Sequence, residues 1–251
     1  MISIILPVLN QLSMTNECIK AIQANTQDYE LIIVDNGSEP SLSFISDYDF
    51  KPYDQLIRNK ENLGFPVAVN QGIREAKGEN IILLNNDVIV TPRWADRLIK
   101  WLDEYDIIGP CTNYSAGYQR IRTLGIYYDI QGLNVEAEKW GKMHKGKAND
   151  VNWVIGFCIA FKKSLWEQLG VFDESVWPSS GEEIDFCLRA KNAGYRVGIA
   201  IDVYVHHIGS VTFKDINSKH PYRDIVEKSE KHLKDKWGDD YSSQEIDRNG
   251  A

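Results

Sequence analysis

Ile81-Ile82-Leu83-Leu84-Asn85-Asn86-Asp87-Val88 is an apolar run of strand length that breaks into two amides and a carboxylate before Ile89 and Val90 resume it. Four consecutive apolar residues predict a strand covered on both faces, the environment of a parallel sheet flanked by helices. At the carboxyl end of such a strand the chain enters the crevice where α/β proteins bind ligands. A carboxylate with neighbouring amides suits a divalent cation and a polar ligand there, although Asn and Asp also serve as ordinary turn residues.

The flanking sequence repeats the pattern. Residues 2–6 read as a buried strand stopped by Pro7, residues 31–34 as a second ending in Asp35-Asn36-Gly37-Ser38, and residues 55–57 as a weaker third. Helices fit residues 13–25, with Met14, Cys18, Ile19 and Ile22 on one side, and residues 68–77, stopped by Gly78. Thr91-Pro92 reads as an N-cap and first helical position for a helix buried through Trp94, Leu98, Trp101 and Leu102. Residues 111–150, rich in Tyr, Gly and Lys, read as an active-site insertion. A strand at 154–161, helices at 164–169 and 182–192, a strand at 197–201 and one amphipathic segment beyond Lys214 complete the series. Strands alternating with helices predict an α/β fold: one domain with a mostly parallel central sheet, helices on both faces and a C-terminal helical appendage.

Composition narrows the function. The 251 residues are 43% hydrophobic and 25% charged, ordinary for a globular chain, and carry a net charge of −8. That balance argues against a general nucleic-acid binder but leaves room for a nucleotide site, because a metal can supply local positive charge. No apolar run approaches the ~18–20 residues of a membrane span, and the N-terminus lacks a basic region ahead of its apolar stretch. The expected location is the cytoplasm, with peripheral contact at the inner face of the membrane as the alternative. Cys18, Cys111, Cys158 and Cys187 have no ligand-like spacing and predict buried, reduced thiols.

Pro7-Val8-Leu9-Asn10, Asp35-Asn36-Gly37-Ser38 and Asn85-Asn86-Asp87 each follow a predicted strand, so a parallel sheet brings all three to one edge. Hydroxyls for Asp35 and phosphates for a cation on Asp87 together describe a nucleotide. No Walker lysine loop and no Gly-x-Gly-x-x-Gly fingerprint is present. In Asn62-Leu63-Gly64-Phe65, Gly64 permits close backbone approach, and Asn70 stands in the following helix, facing either the crevice or solvent. Gly181-Glu182-Glu183-Ile184-Asp185 opens a helix; the dipole favours acids there, and the same carboxylates are placed for a general base. Of the adjacent His206 and His207, at most one enters a site, since neighbours in a strand face opposite ways.

In this order the clusters resemble the family 2 glycosyltransferases, rhamnosyltransferase-like members included, over residues 2–213. The resemblance implies a single GT-A-type, Rossmann-like domain, with residues 1–110 as the nucleotide-binding half, 111–213 as the acceptor-binding half and 214–251 as a helical tail. It implies that Pro7, Val8, Leu9, Asn10, Asp35, Asn62, Gly64, Asn70, Asn85 and Asn86 line the nucleotide sugar. Asn85-Asn86-Asp87 stands where the family has Asp-x-Asp, so Asp87 would hold a Mn²⁺ or Mg²⁺, with His207, or His206 if the register is off by one, completing the metal site. Glu183 matches the catalytic base, with Asp185 beside it. Gly156, Trp177, Glu182 and Arg189 fall on the acceptor side. Two positions depart from the family: Asn85 replaces the first Asp, and Glu183 is one methylene longer than the usual Asp.

The function so implied is an inverting hexosyl- or deoxyhexosyltransferase. It would move sugar from a nucleotide-diphospho-sugar to a glycan, lipid-linked or protein acceptor in polysaccharide, glycan or glycolipid synthesis. The rivals are a nucleotide-sugar-binding module without activity and a nucleotidyltransferase on a related fold. The first would not need Asp87, Glu183 and His207 together, and the second would want a basic Gly-rich loop near the N-terminus.

Overall fold

The computed structural model describes residues 1–39, 51–115, 117–122, 124–125, 127–175, 181–209, 222–238 and 241. Strands are β1 Ile2–Val8, β2 Tyr29–Asn36, β3 Gln55–Asn59, β4 Asn80–Leu84, β5 Val88–Ile89, β6 Ile107–Cys111, β7 Ala148–Asp150, β8 Cys158–Lys162, β9 Val197–Tyr204 and β10 His206–His207. Helices are α1 Leu12–Asn25, α2 Phe65–Glu75, α3 Trp94–Trp101, α4 Ile130–Met143, α5 Lys163–Leu169, α6 Glu182–Asn192 and, renumbered in order, α7 Tyr222–Trp237.

Eight strands form one sheet in the order β3-β2-β1-β4-β8-β6-β9-β7. The β3-β2-β1-β4 ladder is parallel, as is β6-β9, while β8 runs against both its neighbours and β7 against β9. This is the expected mostly parallel α/β sheet. The β1-α1-β2 unit steps one way along it and β3-α2-β4 steps back past β1, so right-handed connections put α1 and α2 on opposite faces. β1, β2 and β4 are buried almost throughout, which explains their uninterrupted apolar sequence. The four cysteines are free and buried, and burial pushes the Cys111 and Cys187 thiols up to about 12, far from reactive.

Several local expectations differ. The 111–150 stretch is more than an insertion: it carries α4 and the edge strand β7. The buried side of α4 is Leu133, Ala137 and Gly141, a stripe too small to register as apolar periodicity. A Cβ at Gly141 would stand 2.0 Å from Arg97 Nη1 and 3.0 Å from the Asp202 carbonyl, so glycine is what lets α4 settle onto β9. Thr91 does not cap α3; its hydroxyl donates to the Tyr204 carbonyl, and Arg93 in the left-handed region precedes the helix. The predicted strand at 154–161 is a strand only from Cys158, and the Phe157 carbonyl, accepting the Asn85 N–H at 2.9 Å, ends its pairing with β4.

Candidate active site

The β1-β4 ladder stops at Ile5–Leu83, while β1 runs on beside β2 to Val8–Asp35. Beyond Leu83 the two strands part, opening the crevice at the point where strand order reverses. Pro7 lies in that stretch, where its missing N–H is no loss to a β4 ladder. Pro7 and Val8 are buried, and Leu9 and Asn10 emerge at the rim. The Asn10 N–H donates to Ser38 Oγ at 2.8 Å, and its side-chain oxygen accepts the Glu39 N–H at 2.9 Å, joining the ends of β1 and β2. Asp35 accepts the Ser38 N–H at 3.0 Å and pairs with Arg58 Nε at 3.2 Å.

Asn62 and Gly64 shape the next loop. Asn62 Oδ1 accepts from the Asn36 amide and the Gly64 N–H, both at 2.9 Å, and the Gly64 carbonyl accepts from the same Asn36 amide at 3.0 Å. Asn70, placed by sequence either in the crevice or at the surface, occupies neither. It is fully buried: its amide donates to the Phe172 carbonyl and Glu174, and its oxygen accepts from the Phe172 N–H and the Trp166 indole. With all four hydrogen-bonding positions used, it clamps α2 to the loop after α5.

The turn after β4 divides its three polar residues. The Asn86 amide donates to Thr15 Oγ1 at 2.9 Å, supporting the first turn of α1 rather than a ligand. Asn85 Oδ1 and Asp87 Oδ1 are buried oxygens with no hydrogen-bond partner among the described residues. β10 pairs antiparallel with β5, His207 opposite Val88, which brings His207 Nε2 to 3.2 Å from Asp87 Oδ1. That close approach lacks hydrogen-bond geometry. His207 Nδ1 lies 2.8 Å from the Tyr114 carbonyl, which can only accept, so Nδ1 carries a proton and Nε2 is the ring atom left on the Asp87 side. A buried carboxylate oxygen without a hydrogen bond and an imidazole nitrogen this close are atoms of the kind that ligate a divalent cation. His206 faces the other way, with Nδ1 against the Tyr127 hydroxyl, and burial together with neighbouring His207 lowers its pKa.

Sequence reasoning missed the groups that hold His207. The Asn113 side chain brackets its backbone, accepting the His207 N–H at 2.8 Å and donating to the His207 carbonyl at 3.0 Å. Phe157 stacks on the imidazole at 5.0 Å between centroids. Nothing in the sequence near residue 113 announces a partner at residue 207; only the sheet brings them together.

α6 starts with three buried carboxylates of different fates. Glu183 accepts the Gly181 N–H at 3.1 Å and approaches the Gly156 N–H at 3.4 Å; burial outweighs these bonds and raises its pKa. Asp185, fully buried, is consumed: Arg189 Nε lies at 2.9 Å, the Trp237 indole at 2.9 Å and Lys236 at 2.8 Å. Arg189 is spent as well, its guanidinium donating to the Leu169, Gly170 and Val171 carbonyls beyond α5. Both therefore read as framework in place of the catalytic and acceptor roles expected of them. Glu182 is buried at the same turn, and Trp177 lies outside the described residues.

Comparison with known proteins identifies the family and the fold. The family model described as glycosyl transferase family 2 matches residues 3–169. Glycosyltransferase AglE of Haloferax volcanii is 26% identical, over 82% of this chain and 66% of that protein. The poly(ribitol-phosphate) beta-glucosyltransferase of Bacillus spizizenii is 32% identical, over 82% of this chain and 32% of that protein. A crystal structure of GalNAc-T7 with UDP, GalNAc and Mn²⁺ shares the fold at a TM-score of 0.63 and 18% identity, covering 82% of this chain and 43% of that one. The chain thus spans between 32% and 66% of the length of these three proteins.

Proposed function

We propose that this chain, which belongs to glycosyl transferase family 2, transfers a hexosyl or deoxyhexosyl group from a nucleotide-diphospho-sugar to an acceptor hydroxyl with inversion at the anomeric carbon. The observation that carries the reading is the Asp87–His207 pair, a buried carboxylate oxygen without a hydrogen bond facing an imidazole nitrogen at 3.2 Å. The nucleotide would lie along the rim formed by Leu9, Asn10, Asp35 and the 62–64 loop, in the half of the chain before residue 111. A divalent cation held by Asp87 and His207 would stabilise charge on the leaving diphosphate.

Glu183 is the general base. Its carboxylate takes the proton of the acceptor hydroxyl as that oxygen bonds to the anomeric carbon, and the diphosphate leaves with the electron pair of the broken bond. A raised pKa strengthens the carboxylate as a proton acceptor near neutral pH. Direct displacement needs no protein nucleophile, and the buried, high-pKa cysteines offer none. Acceptors of glycan, lipid-linked or protein type fit the half from residue 111 onward. Among the described residues no helix is long and apolar enough to cross a membrane.

Thermal unfolding with a panel of nucleotide sugars, with and without Mn²⁺, tests the donor and metal assignments. At least one nucleotide-diphospho-sugar should raise the melting temperature more with Mn²⁺ than without. No metal-dependent rise across the panel would overturn them. The anomeric configuration of the first product formed tests inversion.

A further inference from the structure

The C-terminal helix α7 lies beyond the residues that the family model matches, 3–169, yet it is built into the region around the base. Lys236 and the Trp237 indole both reach Asp185 Oδ1, at 2.8 Å and 2.9 Å. Lys236 and His232 also meet Asp173, at 3.1 Å and 3.2 Å, so α7 bridges α6 and the loop after α5. Hydrogen bonds from Ser175 and Lys236 overcome the burial of Asp173 and hold its carboxyl well below the usual range.

A second contact reaches the base more directly. Gly181, at φ +93, donates its N–H to Glu183, and a Cβ there would stand 2.6 Å from Ser229 Oγ and 2.9 Å from Leu233 Cδ1 of α7. The helix therefore packs on the very residue whose backbone holds the Glu183 carboxylate. We propose that α7 is a positioning element of the transferase: Lys236 and Trp237, acting through Asp185, and Ser229 and Leu233, acting through Gly181, set the place of the Glu183 carboxylate against the acceptor. Asp185, Lys236 and Trp237 touch no reacting atom in this arrangement. They act on the proton-transfer geometry; their hydrogen bonds and ion pairs go to one another, Arg189 and Asp173 and not to Leu9, Asn10, Asp35 or the 62–64 loop, so the nucleotide rim is left unaltered.

The inference rests on Glu183 being the base, and its test separates the two. The 251-residue chain is compared with its Lys236→Met/Trp237→Phe variant, which keeps bulk while removing the two donors that α7 offers to Asp185 and leaving Arg189 in place. Turnover is read as UDP released from UDP-glucose and UDP-N-acetylgalactosamine with water as acceptor, and donor-side binding as calorimetric affinity for UDP with Mn²⁺. Displacement of a catalytic group by ~1 Å costs up to about 10²-fold, so kcat should fall about tenfold or more while donor KM and UDP affinity stay unchanged. In a Glu183→Gln background the same changes should add nothing to the residual rate, since the group they position is gone. Parent-like kcat, an equal loss of UDP affinity, or full additivity with Glu183→Gln would each overturn the role of α7. Trp237→Phe alone, read the same way, serves if the double variant does not fold. Parent-rate turnover by Glu183→Gln itself would instead overturn the base assignment.

Discussion

Replacing Asp87 by Asn should separate a metal ligand from a structural acid by the sign of its effect on stability. The carboxylate is buried, and Oδ1 faces His207 Nε2 at 3.2 Å without a hydrogen bond. Without a cation, that arrangement leaves a carboxylate oxygen in a poorly solvated place without a hydrogen bond. An amide of nearly the same shape removes the charge. Relief of an unpaired buried charge is worth ~1 kcal/mol or more. For a chain of this size ~1 kcal/mol corresponds to about 2–4 °C, so the metal-free Asn variant should melt at or up to about 4 °C above the parent. Any stabilisation that Mn²⁺ confers together with the best nucleotide sugar of the panel should vanish, because the amide replaces the anionic ligand. Differential scanning fluorimetry in EDTA and in excess Mn²⁺ with that nucleotide sugar reads both quantities on one preparation. A metal-free variant melting well below the parent, or undiminished stabilisation by Mn²⁺ and the nucleotide sugar, would refute the assignment.

Glu183→Gln should retain UDP–Mn²⁺ affinity and lose about 10²–10⁴-fold in turnover, measured by nucleotide release. Because burial raises the Glu183 pKa, the acidic limb of the parent's rate profile should lie above the ordinary glutamate value, with activity lost as pH falls through it. The charged form is the one disfavoured by folding, so this carboxylate favours stability at low pH and loses that contribution as pH rises through its folded value. Glu183→Gln should therefore diminish this loss when unfolding is followed against pH. Asn113→Ala frees both backbone groups of His207 and should weaken Mn²⁺ binding about 10-fold or more, read by titration of the Mn²⁺ paramagnetic signal. Asn70→Ala leaves the Phe172 backbone groups and the Trp166 indole without their partner; at ~1–3 kcal/mol for each of these three buried groups, it should destabilise by at least about 3 kcal/mol in urea unfolding.

Local pattern carried much of the fold. The apolar runs that became β1, β2 and β4 were legible because a strand buried on both faces can hardly be written in polar residues. The start of α6 was legible because Gly181 precedes an unbroken helical pattern, and the 182–192 span matches. α4 was not, because its buried stripe of Leu133, Ala137 and Gly141 derives from close approach to β9 and carries little hydrophobicity. The short span of β8 was also hidden: Val154 and Phe157 are buried ahead of Cys158 without belonging to the strand.

The candidate site divides the same way. Residue types that suit a nucleotide, a cation and a base were readable in Asp35, Asp87, Glu183 and the histidine pair, since chemistry restricts which side chains can do each task. Which of them face one another depends on pairings across tens of residues. The β10–β5 register turns His207 to Asp87 and His206 to Tyr127. The packing of α7 spends Asp185 on Lys236 and Trp237 while Glu183, among the described residues, keeps backbone donors. Asn70 looked like a crevice or surface amide until the loop after α5 folded over it. A polar side chain has the same local signature whether it meets ligand or protein, and its partners are chosen by contacts that no neighbouring residue encodes.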